Sequence, residues 1–234
     1  ALMKAAGVDT IFLAIEHGSK RVLKEIIKKP IALSRIKPTV QMLQEAGIFA
    51  CTFLVIGLPG ETRAEREETR AAVYDWGVDW AFFNYATPLR GSELFRMCRD
   101  NGWIEEKYLP IGAIDMTDYV IRAPGMDAVE IKETVFEMNL DLNFVNNSNL
   151  RRGNLTTAYR SFREVVSRHP GQPFAHYFLA QCMEEMGVGQ ARIDKHYQAY
   201  RDIIAGSDTW RAAADKFGLA PDPQAGMREE RRRA

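Results

Sequence analysis

Three short apolar runs alternate with longer amphipathic segments over the first hundred residues. The runs lie at residues 11–15, 50–56 and 80–85, and nearly continuous apolar runs of this length are typical of strands buried on both faces. Helix start and stop signals flank the intervening segments, at Ser34, Thr62 and Ser92 and at Gly47 and Gly102. Strand and helix patterns that repeat every ~30–40 residues predict parallel βα units.

Three βα units are too few to close a barrel, which takes about eight strands. The sequence therefore predicts an α/β fold, either a partial (β/α) barrel or a doubly wound sheet that lacks strands. Residues 108–124 are irregular, with an edge strand expected at residues 119–122, and beyond Asp127 the pattern is helical only. We therefore expect a βα part at 1–107, a connecting region at 108–138, an all-α part at 139–220 and a disordered tail at 221–234.

The all-α part has the spacing of a helical repeat. Its small and apolar positions resemble those of tetratricopeptide repeats, with a second set about 34 residues after the first. The first set is Gly153, Ala158, Phe162, Val165 and Pro170, and the second is Leu179, Ala180 and Gly187. The resemblance implies four antiparallel helices at 139–151, 155–168, 173–186 and 190–204, with Phe162 and Leu179 in one core.

Two repeats fall below the usual minimum of about three for independent stability. This part is therefore expected to pack on the βα part or to continue through Trp210 and Phe217 in a capping helix. Its role stays open between a helical hairpin without a binding function and a groove for a protein partner. In a groove, Gln181, Glu184 and Glu185 would face the partner.

Composition and cysteine content narrow the functional classes. The chain has 31 basic and 31 acidic side chains, which favours neither nucleic acid nor an anionic membrane as a partner. No apolar run approaches the roughly 20 residues that span a bilayer. Three widely separated cysteines, Cys51, Cys98 and Cys182, predict core thiols in a reducing, cytoplasmic setting and no zinc or iron–sulfur motif. The start lacks an initiator Met and a signal-peptide layout and resembles the middle of a helix, so we expect the chain to begin inside a longer protein.

Polar and glycine-rich segments follow two of the predicted strands. The segment GLPGET at residues 57–62 can turn sharply and approach a ligand closely. Glu16 ends the first strand, before HGS at residues 17–19, and its carboxylate can accept two hydrogen bonds from a ribose diol. Ser19 can cap the helix that follows. Because ligands on parallel sheets bind at the carboxyl ends of strands, these segments predict a binding site at that edge.

In order and spacing, residues 2–7, 11–23, 53–62 and 86–94 resemble the second half of a radical S-adenosylmethionine (SAM) domain, in the group that often carries an N-terminal cobalamin-binding domain. The resemblance covers about residues 1–105 and implies a SAM pocket. Its implied contacts are Glu16 and Ser19 after the fourth strand of that barrel, Val55, Gly57 and Leu58 beside the adenine, and Asn84 and Thr87 near adenine or substrate.

Two residues depart from the family pattern, which commonly has Ser where His17 stands and often Pro where Arg90 stands. His17 is expected either to contact the SAM carboxylate or a substrate, or to face solvent as a loop residue. Arg90 is expected to be a surface residue.

The three-cysteine motif that holds the family's [4Fe–4S] cluster is absent from this sequence. The resemblance thus implies a parent enzyme that uses SAM, the cluster and, in this group, cobalamin, acting on a substrate that the sequence does not specify. No catalytic residue is assigned, and no cofactor is expected on this chain alone, which is expected to be inactive.

Two other functions stay open. The chain can be a non-catalytic adaptor whose degenerate barrel positions the helical repeats against a partner. A hydrolase or aldolase on a complete barrel is disfavoured, because the strand ends offer no lysine nucleophile, paired carboxylates or metal-ligand cluster.

Overall fold

The computed structural model describes residues 2–29 and 31–219. It divides into two compact units, Ala1–Asn143 and Phe144–Ala234. The tail expected to be disordered at 221–234 lies outside the described residues. Among those described, no helix has both the length and the apolar character needed to cross a membrane.

The first unit contains a three-stranded parallel sheet. Its strands are β1 (Thr10–Glu16), β2 (Phe49–Ile56) and β3 (Trp80–Tyr85), side by side in chain order. This confirms the three predicted strands and their parallel pairing. Together with the helical region that follows, the sheet makes the fold class a partial α/β barrel with an all-α extension.

Helices α1 (Leu2–Ala5), α2 (Ile36–Glu45), α3 (Arg63–Trp76) and α4 (Glu93–Asp100) alternate with the strands. Helix α3 begins with the predicted capping box, in which Thr62 and Glu65 bond each other's backbone N–H groups. Apolar residues of α2 and α3 share one core with one face of the sheet, including Val40, Leu43 and Val73. Helices α2 and α3 thus bury their apolar stripes against the sheet.

The opposite face of the sheet carries a row of aromatic rings. Phe53 of β2 lies between Phe12 of β1 and Phe82 of β3, with ring centroids 5.2 and 5.3 Å away. Phe12 and Phe82 remain 52% and 38% exposed. This face is therefore apolar and open to solvent in the described chain.

Two local predictions in the first unit need correction. The helix expected from about Ser19 is a π-helical segment, Val22–Ile26, followed by Lys28 in the left-handed region at φ 60°. The edge strand expected at residues 119–122 is absent: Tyr119, Val120 and Ile121 are buried in a core, and Arg122 bonds only one backbone carbonyl, that of Trp103, outside regular structure. Apolar residues here serve packing instead of strand pairing.

A side-chain amide occupies part of the free edge of β3. Helix α5 (Ala128–Leu140) leads into a π-helical segment, Asp141–Val145, which contains the buried Asn143. The Asn143 Nδ2 donates to the Ala81 carbonyl at 2.7 Å, and its Oδ1 accepts from the Ala81 N–H at 2.9 Å. The amide thus satisfies the same backbone groups that a neighbouring strand would pair with.

We expect Asn143→Ala to lower the free energy of unfolding by about 1–3 kcal/mol, because it removes partners from a buried backbone N–H and C=O. Urea denaturation followed by circular dichroism measures the loss. Asn101→Ala, which truncates an exposed asparagine bonded to the Met97 carbonyl, is the control and should change stability by at most ~0.5 kcal/mol. Equal losses in the two variants would contradict the edge role of Asn143.

The second unit is helical, with α6 (Ser148–Arg151), α7 (Leu155–Arg168), α8 (Pro173–Glu185), α9 (Gln190–Ala205) and α10 (Asp208–Lys216). The predicted helices at 155–168, 173–186 and 190–204 match α7, α8 and α9. The helix predicted at 139–151 is wrong, because Asn147 caps a new start: its side chain accepts from the N–H groups of Asn149 and Leu150.

Aromatic side chains form the core of this unit. Phe162 is fully buried and lies 5.8 Å from the Phe144 ring and 5.9 Å from the Phe178 ring, centroid to centroid. Leu179 is also buried, as is every residue from 173 to 180. The burial of Phe162 and Leu179 agrees with the repeat interpretation, which stays a prediction.

Candidate functional site

The residues expected to bind SAM end three adjacent strands. In the sheet register, Val55 of β2 lies opposite Asn84 of β3, and Glu16 of β1 lies opposite Leu54 after a register shift that follows Ala14. By strand alternation, Val55 and Asn84 share the solvent-open face with Phe53 and Phe82. The carboxyl edge of the sheet therefore brings Glu16, Val55 and Asn84 together.

Glu16 adopts an unusual backbone conformation and has a cationic neighbour. Its φ is 72°, in the left-handed region that non-glycine residues rarely adopt. Its carboxylate accepts from the Lys29 ammonium at 2.8 Å, and the same ammonium donates to the Ala14 carbonyl at 2.7 Å. A partly exposed, charged carboxylate held in a fixed position can accept further hydrogen bonds from a ligand.

The turn after β2 satisfies its own polar groups. Gly57, at φ 90°, donates its N–H to the Glu61 Oε2 at 2.5 Å, and the Leu58 N–H donates to the same oxygen at 3.0 Å. The Gly57 carbonyl accepts from the Tyr119 hydroxyl at 2.9 Å. A Cβ at position 57 would lie 2.6 Å from the Tyr119 ring, so only glycine fits there. The N–H groups of Gly57 and Leu58 are thus already bonded, and the half-buried Val55 of β2 can offer a ligand apolar contact.

His17 is fully buried, so the expectation that it faces solvent was wrong. Its Nδ1 accepts from the Ser19 N–H at 3.0 Å, which places the ring proton on Nε2. Nε2 therefore donates to the Glu61 Oε1, 2.7 Å away. Glu61 was not singled out from the sequence, although its place directly after the Gly-Leu-Pro-Gly turn was a usable signal.

Ser19 is buried as well, and its side chain does not cap a helix. Its hydroxyl donates to the Glu65 carboxylate at 3.3 Å. The Arg21 guanidinium donates to both oxygens of that carboxylate and, with the Thr62 hydrogen bonds, holds the pKa of Glu65 down to about 2. The structure thus uses Ser19 to join the loop after β1 to α3 and does not bring its side chain to the open edge.

Asn84 lies in β3, and Thr87 follows its end. The Thr87 hydroxyl donates to the Tyr85 carbonyl at 3.1 Å, and Asn84 is exposed. Asn84 also borders a shallow groove of about 320 Å³ between β3 and α5. The rest of the lining is mostly aromatic and apolar, with one further amide: Trp80, Ala81, Phe82, Phe83, Tyr85, Val135, Phe136 and Asn139. Arg90 is exposed, as expected, and bonds the Leu109 carbonyl.

The cysteines do not fit an iron–sulfur cluster. Cys51, Cys98 and Cys182 are free and buried, on β2, α4 and α8. Burial raises the pKa of the Cys51 and Cys182 thiols to about 12 and that of Cys98 to about 11. Within residues 2–29 and 31–219, no group of three His, Cys, Asp or Glu side chains is placed to hold a metal ion. The three cysteines lie on separate elements and do not converge on one site.

Comparison with known proteins relates the first part of the chain to one enzyme superfamily. Residues 1–73 match the model of the Radical SAM superfamily. A cytidylyl-2-hydroxyethylphosphonate methyltransferase of Streptomyces wedmorensis is 34% identical over 150 residues, which are 61% of this chain and 28% of the relative.

Two further relatives are named for different reactions. An anaerobic magnesium-protoporphyrin IX monomethyl ester cyclase of Cereibacter sphaeroides is 25% identical over 249 residues, covering 96% of this chain and 37% of the relative. A tRNA-2-methylthio-N(6)-dimethylallyladenosine synthase of Burkholderia thailandensis is 27% identical over 95 residues, covering 40% of this chain and 21% of the relative. The chain thus spans well under half the length of each relative.

Proposed function

We propose that this chain is the C-terminal part of a radical SAM enzyme, because residues 1–73 match the model of the Radical SAM superfamily. Its sheet edge would form the adenosyl side of the SAM pocket. In the family, a [4Fe–4S] cluster supplies the electron that cleaves SAM. Because the described residues do not fit that cluster, the proposal assigns its cysteines to another part of the longer parent protein.

The observation that carries the proposal is the convergence of Glu16, Val55 and Asn84 at the carboxyl ends of adjacent parallel strands. Ligands of parallel α/β folds bind at that end because strand ends and loops converge there. Glu16 would accept hydrogen bonds from the ribose diol. Val55 and the turn at Gly57 and Leu58 would contact the adenine, and Asn84 and Thr87 would lie beside adenine or substrate.

The substrate is not part of the proposal. The three relatives are named for a cytidylyl phosphonate, a magnesium porphyrin and a tRNA, so similarity in this region does not select one substrate class. A cobalamin cofactor and a cytoplasmic location, which the sequence suggested, remain proposals for the parent protein. A protein partner for the helical unit also remains a proposal.

We expect the parent protein, reconstituted anaerobically with iron and sulfide and then reduced, to convert SAM to 5′-deoxyadenosine. Glu16→Ala should weaken SAM binding by roughly 1.5–3 kcal/mol for each charge-assisted hydrogen bond lost, which is about a tenfold to hundredfold rise in Kd. Isothermal titration calorimetry measures the Kd, and chromatography measures the product.

Glu25→Ala is the matched control, because it removes an exposed carboxylate from the segment after β1 and should leave the Kd for SAM unchanged. A parent protein that neither binds nor cleaves SAM would contradict the proposal and favour the adaptor function. Equal effects of Glu16→Ala and Glu25→Ala would remove Glu16 from the pocket.

A further inference from the structure

A buried hydrogen bond between His17 and Glu61 joins the loops that follow β1 and β2. The side chains of His17 and Glu61 are both fully buried, and the His17 Nε2 lies 2.7 Å from the Glu61 Oε1. The two residues are 44 positions apart in sequence. No ligand contact is available to either side chain, so any effect on the proposed pocket must pass through the backbone that they hold.

Each end of the pair is tied to backbone at the proposed pocket. The second carboxylate oxygen of Glu61 accepts from the N–H groups of Gly57 and Leu58, the turn that would border the adenine. At the other end, the His17 Nδ1 accepts from the Ser19 N–H, and His17 directly follows Glu16. One chain of hydrogen bonds therefore runs from the loop beside Glu16 to the turn at Gly57.

Helix α3 contacts the loop that follows β1. The Gly18 N–H donates to the Thr69 hydroxyl at 3.0 Å, and that hydroxyl donates to the Glu65 carbonyl at 3.0 Å. A Cβ on Gly18 would lie 2.5 Å from the Thr69 Cα, so the loop packs directly on the helix backbone. The loop therefore packs against α3 on one side, and the His17–Glu61 contact, together with the Arg21 hydrogen bond to the Gly60 carbonyl at 2.8 Å, ties it to the β2 turn.

Burying this pair costs more free energy than burying an apolar pair of similar volume, because the carboxylate loses its hydration. We infer that Glu61 and His17 are positioning residues that fix the β2 turn relative to Glu16, and so fix the adenine side of the proposed SAM site relative to its ribose side. This inference rests on the proposed function.

Two variants test this inference: Glu61→Gln breaks the chain of hydrogen bonds, and His17→Gln preserves the hydrogen bond to Glu61. In Glu61→Gln, the amide oxygen can still accept from Gly57 and Leu58, but the amide NH₂ then faces the donating Nε2 of His17. The series of hydrogen bonds must therefore break either at His17 or at the β2 turn. We expect about a tenfold rise in the Kd for SAM of the parent protein, and about tenfold faster hydrogen exchange of the Gly57 and Leu58 amides in this chain.

His17→Gln keeps a donor for Glu61, whereas His17→Leu removes it. We expect His17→Gln to stay within about threefold of the unmodified protein in Kd, and His17→Leu to match Glu61→Gln. This comparison carries the test if Glu61→Gln does not fold. Glu93→Gln, which neutralises an exposed carboxylate paired with Lys28, should alter neither measurement.

An unchanged Kd for SAM in Glu61→Gln, or equal behaviour of His17→Gln and His17→Leu, would overturn the positioning role and leave the proposed function standing. A parent protein that binds no SAM in its unmodified form would overturn both. Amide exchange in this chain does not depend on SAM, so exchange that stays slow in Glu61→Gln refutes the hydrogen-bond chain itself.

Discussion

Phe162→Ala is expected to lower the free energy of unfolding of the helical unit by about 3–5 kcal/mol. Phe162 is fully buried and contacts the rings of Phe144 and Phe178. Truncation to alanine therefore removes aromatic contacts and leaves a cavity that the surrounding helices fill only in part. Guanidinium denaturation followed by helical circular dichroism measures the change.

Two controls define the size of that effect. Phe162→Leu keeps most of the buried volume and should cost on the order of 1 kcal/mol. Met186→Ala truncates a side chain that is 42% exposed in the same unit and should change stability by at most ~0.5 kcal/mol. If Phe162→Ala resembled the Met186 control, Phe162 would not be a core residue and the repeat interpretation would be wrong.

Reconstitution of this chain alone with iron and sulfide, under anaerobic conditions, is expected to give no [4Fe–4S] absorbance and no SAM cleavage. Cluster ligands are thiolates, whereas Cys51, Cys98 and Cys182 are buried thiols whose pKa values are raised to about 11–12. Absorbance near the cluster bands and chromatography of 5′-deoxyadenosine are the measurements.

SAM binding to the isolated chain is expected to be weak or undetectable for the same reason, since the family fixes the methionyl amine and carboxylate on the cluster iron. Only the ribose and adenine contacts would remain. The parent protein, treated in parallel, is the positive control. SAM cleavage by this chain alone would show that the cluster binds elsewhere than proposed.

Local sequence signals predicted the parts of the fold that depend on short-range chemistry. The apolar runs predicted all six strand ends to within one residue, and the capping pair Thr62 and Glu65 begins α3 as expected. The helix expected at 139–151 failed because the capping capacity of Asn147 competes with a continuous helical pattern. The contact between Asn143 and Ala81 joins residues 62 positions apart, and no periodicity in the sequence reports such a pair.

In the candidate site, too, the sequence predicted what depends on strand positions and missed contacts between distant residues. Glu16, Val55 and Asn84 could be placed together because parallel strands align their carboxyl ends, a rule that needs only the strand positions. The role of His17 could not, because its burial depends on Glu61 arriving from another loop. Lys29 was missed too: its ammonium reaches Glu16 from 13 positions away, across a π-helical segment whose path the sequence pattern does not specify.

The amide of Asn143 makes the two edges of the sheet unequal as places where a further strand could pair. A strand arriving at β3 must first displace two buried hydrogen bonds at Ala81. At β1, by contrast, the Ala14 carbonyl is held by the Lys29 ammonium, a partly exposed group that can swing into water at little cost. The two edges of the sheet therefore differ, because a further strand would have to break buried hydrogen bonds at β3 but only a partly exposed one at β1.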